Sequence, residues 1–257
     1  MRRSSLGSPR FVPLPLAAPC LLCLLSSACV LDLSNLAGGA TGGSAATSST
    51  TTTSTSTGAA GAAPVTAAQL TALTTSCTPY PGSSDFAPSE GQPATVPICT
   101  LPGAVWWTSA MSIACDGGQG SICKSSAGYS PSTAGTDSMG QPLDASTLPF
   151  VVVPQGSNGF DYVSAGLTFG SVSAVIYEGR LVYAIVGDVG DKGIVGEGSF
   201  ALASALKIDP NPQTGGVSGG VTYILFTGPG AVVAKNEDSG EASALGAELA
   251  AMLVMSP

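Results

Sequence analysis

The chain has 257 residues and few charged ones: 9% of the total, with sixteen acidic, eight basic and no histidine. The lack of histidine excludes Ser-His-Asp and Cys-His hydrolysis, histidine phosphotransfer and most zinc enzymes. Three of the basic residues, Arg2, Arg3 and Arg10, lie at the N-terminus, so the chain beyond Cys29 carries a balance of −11. That balance argues against a nucleic-acid partner and suits a cationic one.

Residues 1–29 read as a secretion signal: three arginines, an apolar centre through LLCLL, then the small residues of SSAC. The apolar centre is short of the ~20 residues that a membrane span needs. SSAC resembles a bacterial lipobox, which makes Cys29 a candidate lipid anchor and the one expected link to a membrane; Ser26 stands where leucine is usual. Residues 30–63 form a low-complexity stretch, almost pure Ala, Gly, Ser and Thr from Leu36 onward. Such a segment cannot bury a core and is expected to be a disordered tether. Residues 64–257 remain as one folded domain, large enough for a substantial core and expected to be monomeric.

That domain holds four cysteines, Cys77, Cys99, Cys115 and Cys123. An even count in an exported chain implies disulfides. Three pairings are open, and Cys77–Cys99 with Cys115–Cys123 is the expected one. None of these four forms a CxxC pair that would suggest zinc.

Adjacent Trp106 and Trp107 lie on an expected strand, where neighbours point opposite ways. One is expected in the core; the other, with Trp107 the candidate, would stack on a sugar. Two β-rich runs, SVSAVIY at 171–177 and LVYAIV at 181–186, flank Glu178-Gly179 and read as a hairpin. Asp188 falls where the second strand ends. The glycine-rich segment 190–196 then carries the chain to Glu197, at the start of the helix-like SFALASAL. A charge at a strand end and another at a helix start, joined by a tight loop, can face one cleft. GVSGG at 216–220 matches the GxSxG pattern, but without a base partner it reads as a turn. No phosphate-binding loop is present, and Asp188, Asp191 and Glu197 do not follow calcium-loop spacing. No cofactor is expected. Residues 240–254 have apolar residues at helical spacing and are expected to cover the sheet. What remains for chemistry is carboxylates, and two of them suffice to cleave a glycosidic bond.

Several blocks, in order, resemble glycoside hydrolase family 75, the fungal-type chitosanases. They are CTLPGAVWW at 99–107, MSIACDG at 111–117 with Cys123 following, LDASTLPFVVVP at 143–154, the hairpin leading into VGDVG and VGEGSFALA, and VTYILFTG at 221–228. The resemblance implies a β-rich α+β domain, a barrel-like sheet with peripheral helices. It implies endo-acting hydrolysis of β-1,4 links in chitosan or a similar cationic polysaccharide, by inversion. Glu197 would be the general acid, Asp188 the general base, and Asp116, Asp191 and Trp107 would bind substrate. The family's MDIDCDG run carries two more acids, where this chain has Ser112 and Ala114. That departure keeps open a second reading, a non-catalytic envelope module that binds amino-sugar polymer, and a third, a structural surface lipoprotein.

Overall fold

The computed structural model describes residues 63–256. The leader, Cys29 and nearly all of the low-complexity segment lie outside the described residues. The chain opens with α1 (Ala67–Leu73), whose first turn is closed by a capping box between Thr66 and Gln69. Strand β1 (Cys99–Leu101) turns through Pro102-Gly103 into the long β2 (Ala104–Ala114). A one-turn helix, α2 (Ser121–Lys124), and a long loop lead to β3 (Phe150–Pro154). The expected hairpin is present as β4 (Val172–Tyr177) and β5 (Arg180–Gly190). Its two turn residues, Glu178 and Gly179, both have positive φ (47° and 75°), the twist that a two-residue hairpin demands. The short β6 (Glu197–Ser199) runs directly into α3 (Phe200–Leu206), followed by β7 (Val217–Phe226) and α4 (Ser239–Met255).

The sheet closes on itself. Its order is β1-β2-β6-β3-β5-β4-β7, and β7 pairs back with β2, so six strands form a barrel with β1 as an appendage. Strand β2 is long enough to serve β1 and β6 in turn along one edge while β7 takes the other. Closure removes the exposed strand edges that an open sheet would leave.

Over most of their length both faces of the strands are apolar and covered. One cluster joins Trp106, Phe150, Val152, Ile185 and Ile224 to Leu70 of α1 and to Ala242, Ala250 and Leu253 of α4. The other joins Trp107, Val151, Val186 and Tyr223 to Leu202 and Leu206 of α3. Helix α4 can lie close because Gly246 faces the Tyr183 ring, where a Cβ would come within 2.5 Å of the ring. The two tryptophans point opposite ways, as alternation requires, but both are enclosed. Trp107 is 0% exposed and stacks on Tyr223 at 5.7 Å. The sugar-stacking expectation for Trp107 is therefore corrected: β2 is covered on both faces, and no polymer reaches this ring.

The disulfides pair as expected, Cys77–Cys99 across 22 residues and Cys115–Cys123 across 8. The first ties the segment before β1 to the barrel. The second closes the loop that leaves β2. The GVSGG segment departs from its expected turn, since Val217 to Gly220 begin β7 and Val217 pairs with Met111.

Candidate active site

Asp188 owes its direction to an irregularity in β5. Strands β3 and β5 are in register at Val151–Val186 and again at Val152–Asp188, so Gly187 is an extra residue. The bulge turns Asp188 away from the Val186 face and onto the face of Val152. Only glycine fits at 187, because a Cβ there would lie 2.6 Å from Phe150 Cβ. Asp188 is 6% exposed, and its Oδ1 accepts two backbone N–H bonds, from Ala134 at 2.7 Å and Val189 at 2.8 Å.

Glu197 sits on β6, opposite Ser112 of β2 on one side and Val152 of β3 on the other. The expected position at a helix start is corrected: two residues separate it from α3, and Ser199 is the cap. The Ser199 hydroxyl accepts from Leu202 N at 3.1 Å and from Phe150 N at 3.0 Å, and donates to the Leu148 carbonyl at 2.8 Å. One buried hydroxyl thus locks β6 to β3 and to the helix, and fixes the backbone that carries Glu197. The helix's positive end is spent on Ser199 rather than on Glu197.

Val152 is in register with both acids, so Asp188 and Glu197 share one face of the sheet with β3 between them. Gly190, two residues beyond Asp188, leaves room for the Glu197 carboxyl; a Cβ there would lie 3.0 Å from Oε2. The carboxyl therefore rests beside β5, two residues along from Asp188.

A cavity of about 480 Å³ lies over this face, and Asp116, Asp188, Asp191 and Glu197 all line it. The structure thus brings together four of the five residues proposed for catalysis and substrate binding and leaves out Trp107. Asp116 lies two residues beyond the end of β2, after Cys115, and accepts from Ser130 N at 2.8 Å. A single strap, residues 130–135, supplies one donor to Asp116 and one to Asp188 and is pinned by Gly135 N to the Gly187 carbonyl at 3.0 Å. These amides carry no side-chain signature and could not be found from the sequence. Ser199 could have been, as a serine preceding an apolar run. No basic residue lines the cavity.

The electrostatics follow from crowding and burial. Burial, and then the charges of Asp116, Asp188 and Asp191, push the Glu197 carboxyl up to about 7. Among the described residues no hydrogen-bond donor reaches it. Burial also raises Asp188, but its two backbone amides oppose the rise. Asp116 is raised by burial and pulled back by Ser130. The two neutral positions of the MSIACDG run fall on the same face: Ser112 is beside Glu197 in register, and Ala114 lines the cavity. Among the described residues no group of three or more His, Cys, Asp or Glu side chains is arranged to hold a metal ion.

A closed β-barrel bearing an open cleft furnished with carboxylates alone is the frame of an acid–base site. A family model described as fungal chitosanase of glycosyl hydrolase group 75 matches residues 111–252, more than half of the chain, and the chain belongs to that family. It is 39% identical over 95 residues to an endo-chitosanase C of Aspergillus oryzae, covering 35% of this chain and 24% of that protein. It is 34% identical over 103 residues to an endo-chitosanase of Aspergillus oryzae (strain ATCC 42149 / RIB 40), covering 37% of this chain and 42% of that one. The chain thus matches less than half the length of either relative. Among solved structures, the Streptomyces papain inhibitor overlaps 49% of this chain and 99% of its own, at a TM-score of 0.30 and 21% identity, a likeness that carries no argument.

Proposed function

We propose that the protein hydrolyses the β-1,4 links of chitosan or a related amino-sugar polymer by an inverting, two-carboxylate mechanism. The observation that carries this is the split between two acids in one cavity. Glu197 has no donor among the described residues and is raised to about 7, so a large fraction of it carries a proton near neutral pH and can give it to the leaving oxygen. Burial raises Asp188 as well, but its two N–H groups oppose the rise and favour the anion that a general base needs. Inversion requires the two carboxyl groups to stand about 6.5–9.5 Å apart with a water between them, and the placement of Glu197 beside Gly190, two residues along β5 from Asp188, is compatible with that. Asp116 and Asp191 add negative charge that suits protonated glucosamine. The two disulfides support an exported protein, and release or lipid attachment at Cys29 is part of the same proposal.

The decisive experiment replaces Glu197 with Gln and follows new reducing ends from chitosan. A loss of about 10³-fold in kcat with an unchanged circular dichroism spectrum is expected. Unchanged turnover in a folded variant removes Glu197 from the mechanism. Proton NMR of the first product formed by the parent enzyme should show the α-anomer; a β-anomer means retention. The neutral Ser112 and Ala114 beside Glu197 favour one rival, a module that binds the polymer without cleaving it. Tight binding with no new reducing ends would establish that rival.

A further inference from the structure

A second cavity, of about 420 Å³, abuts the acidic one along β2. Ala110 to Ser112 line this cavity, and Ile113 to Asp116 line the acidic one. The loop before β7 walls both, with Pro212 on the acidic side and Gly215 and Gly216 on the other. That loop is built rather than loose. Gly215 N bonds to the Asn211 carbonyl and Gly216 N to the Asp209 carbonyl, each at 2.8 Å. Gly216 (φ 82°) lies so close to β2 that a Cβ would meet the Met111 carbonyl at 2.3 Å. The boundary between the cavities is equally fixed. Ser112 N donates to the Gly196 carbonyl at 2.9 Å, just before Glu197 leaves on the acidic side.

The two cavities differ in charge. No charged residue lines the second one; its polar groups are the hydroxyls of Ser89, Ser112 and Ser218 and the Gln92 amide. Glu90, between Ser89 and Gln92, is exposed and lies outside the lining. The GVSGG segment also finds a role here. Between Val217 and Val221 three residues of β7 face one of β2, so Ser218 to Gly220 bulge out opposite Ala110 and Ser218 joins the wall.

We infer that this neutral cavity holds an uncharged, N-acetylated sugar unit of the same polymer whose protonated amino sugar occupies the acidic cavity. The inference rests on the hydrolase reading above and names its preferred link as one between unlike units. A glucosamine ammonium entering the neutral cavity sheds water and meets no carboxylate, which is costly. An acetamido group brings one donor and one acceptor, matched by Gln92 and the serine hydroxyls, and a methyl that suits Pro88 and Val217. The volume lies in the range of sites for small ligands.

The test is titration calorimetry with Glu197→Gln protein, below neutrality, using fully deacetylated chitotetraose and each tetramer bearing one N-acetyl group. One mono-acetylated isomer should bind more tightly than the deacetylated tetramer. Ser218→Asp, and separately Gln92→Glu, should shrink that preference by about threefold, the effect of one exposed ion pair, with the melting temperature unchanged. Equal affinities for all isomers, no binding at all, or a preference indifferent to both added carboxylates overturns the inference. A parent protein that shows the preference yet releases no reducing ends from chitosan removes the hydrolase reading and leaves the two-cavity specificity standing.

Discussion

Two groups of acids sit on this molecule, and they are built differently. Asp137, Asp144 and Glu237 surround a small hollow of about 190 Å³. There each carboxylate serves the backbone: Asp137 accepts from Met139 and Gln141, Asp144 from Gln119 and Ser146, and Glu237 from Ser138. The Ser138 side-chain bond also holds Glu237 below the usual carboxylate range. In the barrel cleft Asp188 is buried, Asp116 and Glu197 are half-buried, the acids crowd one another, and Glu197 takes no donor from the described residues. Density of negative charge is thus a poor guide to a site in an acidic protein. The better guide is a carboxyl whose backbone has been fixed by others while its own oxygens stay unspent.

This contrast can be broken in several places. Asp188→Asn removes the proposed base while keeping an oxygen for Ala134 N–H, and turnover of chitosan should fall by about 10²-fold. Survival of full activity would reduce Asp188 to a strap anchor. Gly190→Ala adds a methyl against Glu197 Oε2, which must shift. A loss of about tenfold in kcat, with KM little changed, is expected from such a misplacement. An unaffected kcat would mean that the carboxyl is not held there.

The pH dependence carries a sign. Glu197 is raised from 4.5 to about 7 in the folded state, so the folded chain holds this proton more tightly than the unfolded one. Its contribution to stability is complete below the unfolded value and is lost as the pH rises through about 7. Glu197→Gln should therefore be more stable than the parent above neutrality, by on the order of 3 kcal/mol. The difference should close toward pH 4.5. Denaturant melts at several pH values measure it, and a gap independent of pH would contradict the burial of this group. The smallest effect belongs to the other acidic group. Glu237→Gln should leave chitosan turnover unchanged and move stability little, as an exposed substitution does. Any marked loss of activity would dissolve the distinction between the two clusters.

Much of the architecture was legible from pattern alone. The apolar runs around Glu178-Gly179 could only be a hairpin, and SFALASAL and the C-terminal apolar spacing could only be helices, because their periods differ. The even cysteine count announced disulfides, and the expected pairing among the three possible ones is the one present; the pairing of Asp188 with Glu197 was visible as two charges framing a glycine-rich loop. Other features were out of reach. Sequence alternation separates the two tryptophan rings but does not say whether either face is wet; barrel closure and the packed helices covered both. Gly187 reads as flexibility, whereas in the fold it is the bulge that turns Asp188 into the cleft. The strap amides at Ser130 and Ala134 have no residue-level mark at all.

By itself, then, the sequence determined which chemistry was available: a histidine-free domain with few charges, in which carboxylates were the groups left for acid–base work. It also determined local element type, since hydrophobic period and turn residues act over a few positions. Tertiary structure decided which acids are spent and which are free, and that a neutral cavity adjoins the acidic one. Those properties depend on burial, register and backbone donors brought from distant segments, and none of them exists until β2, β3, β5 and β6 lie side by side.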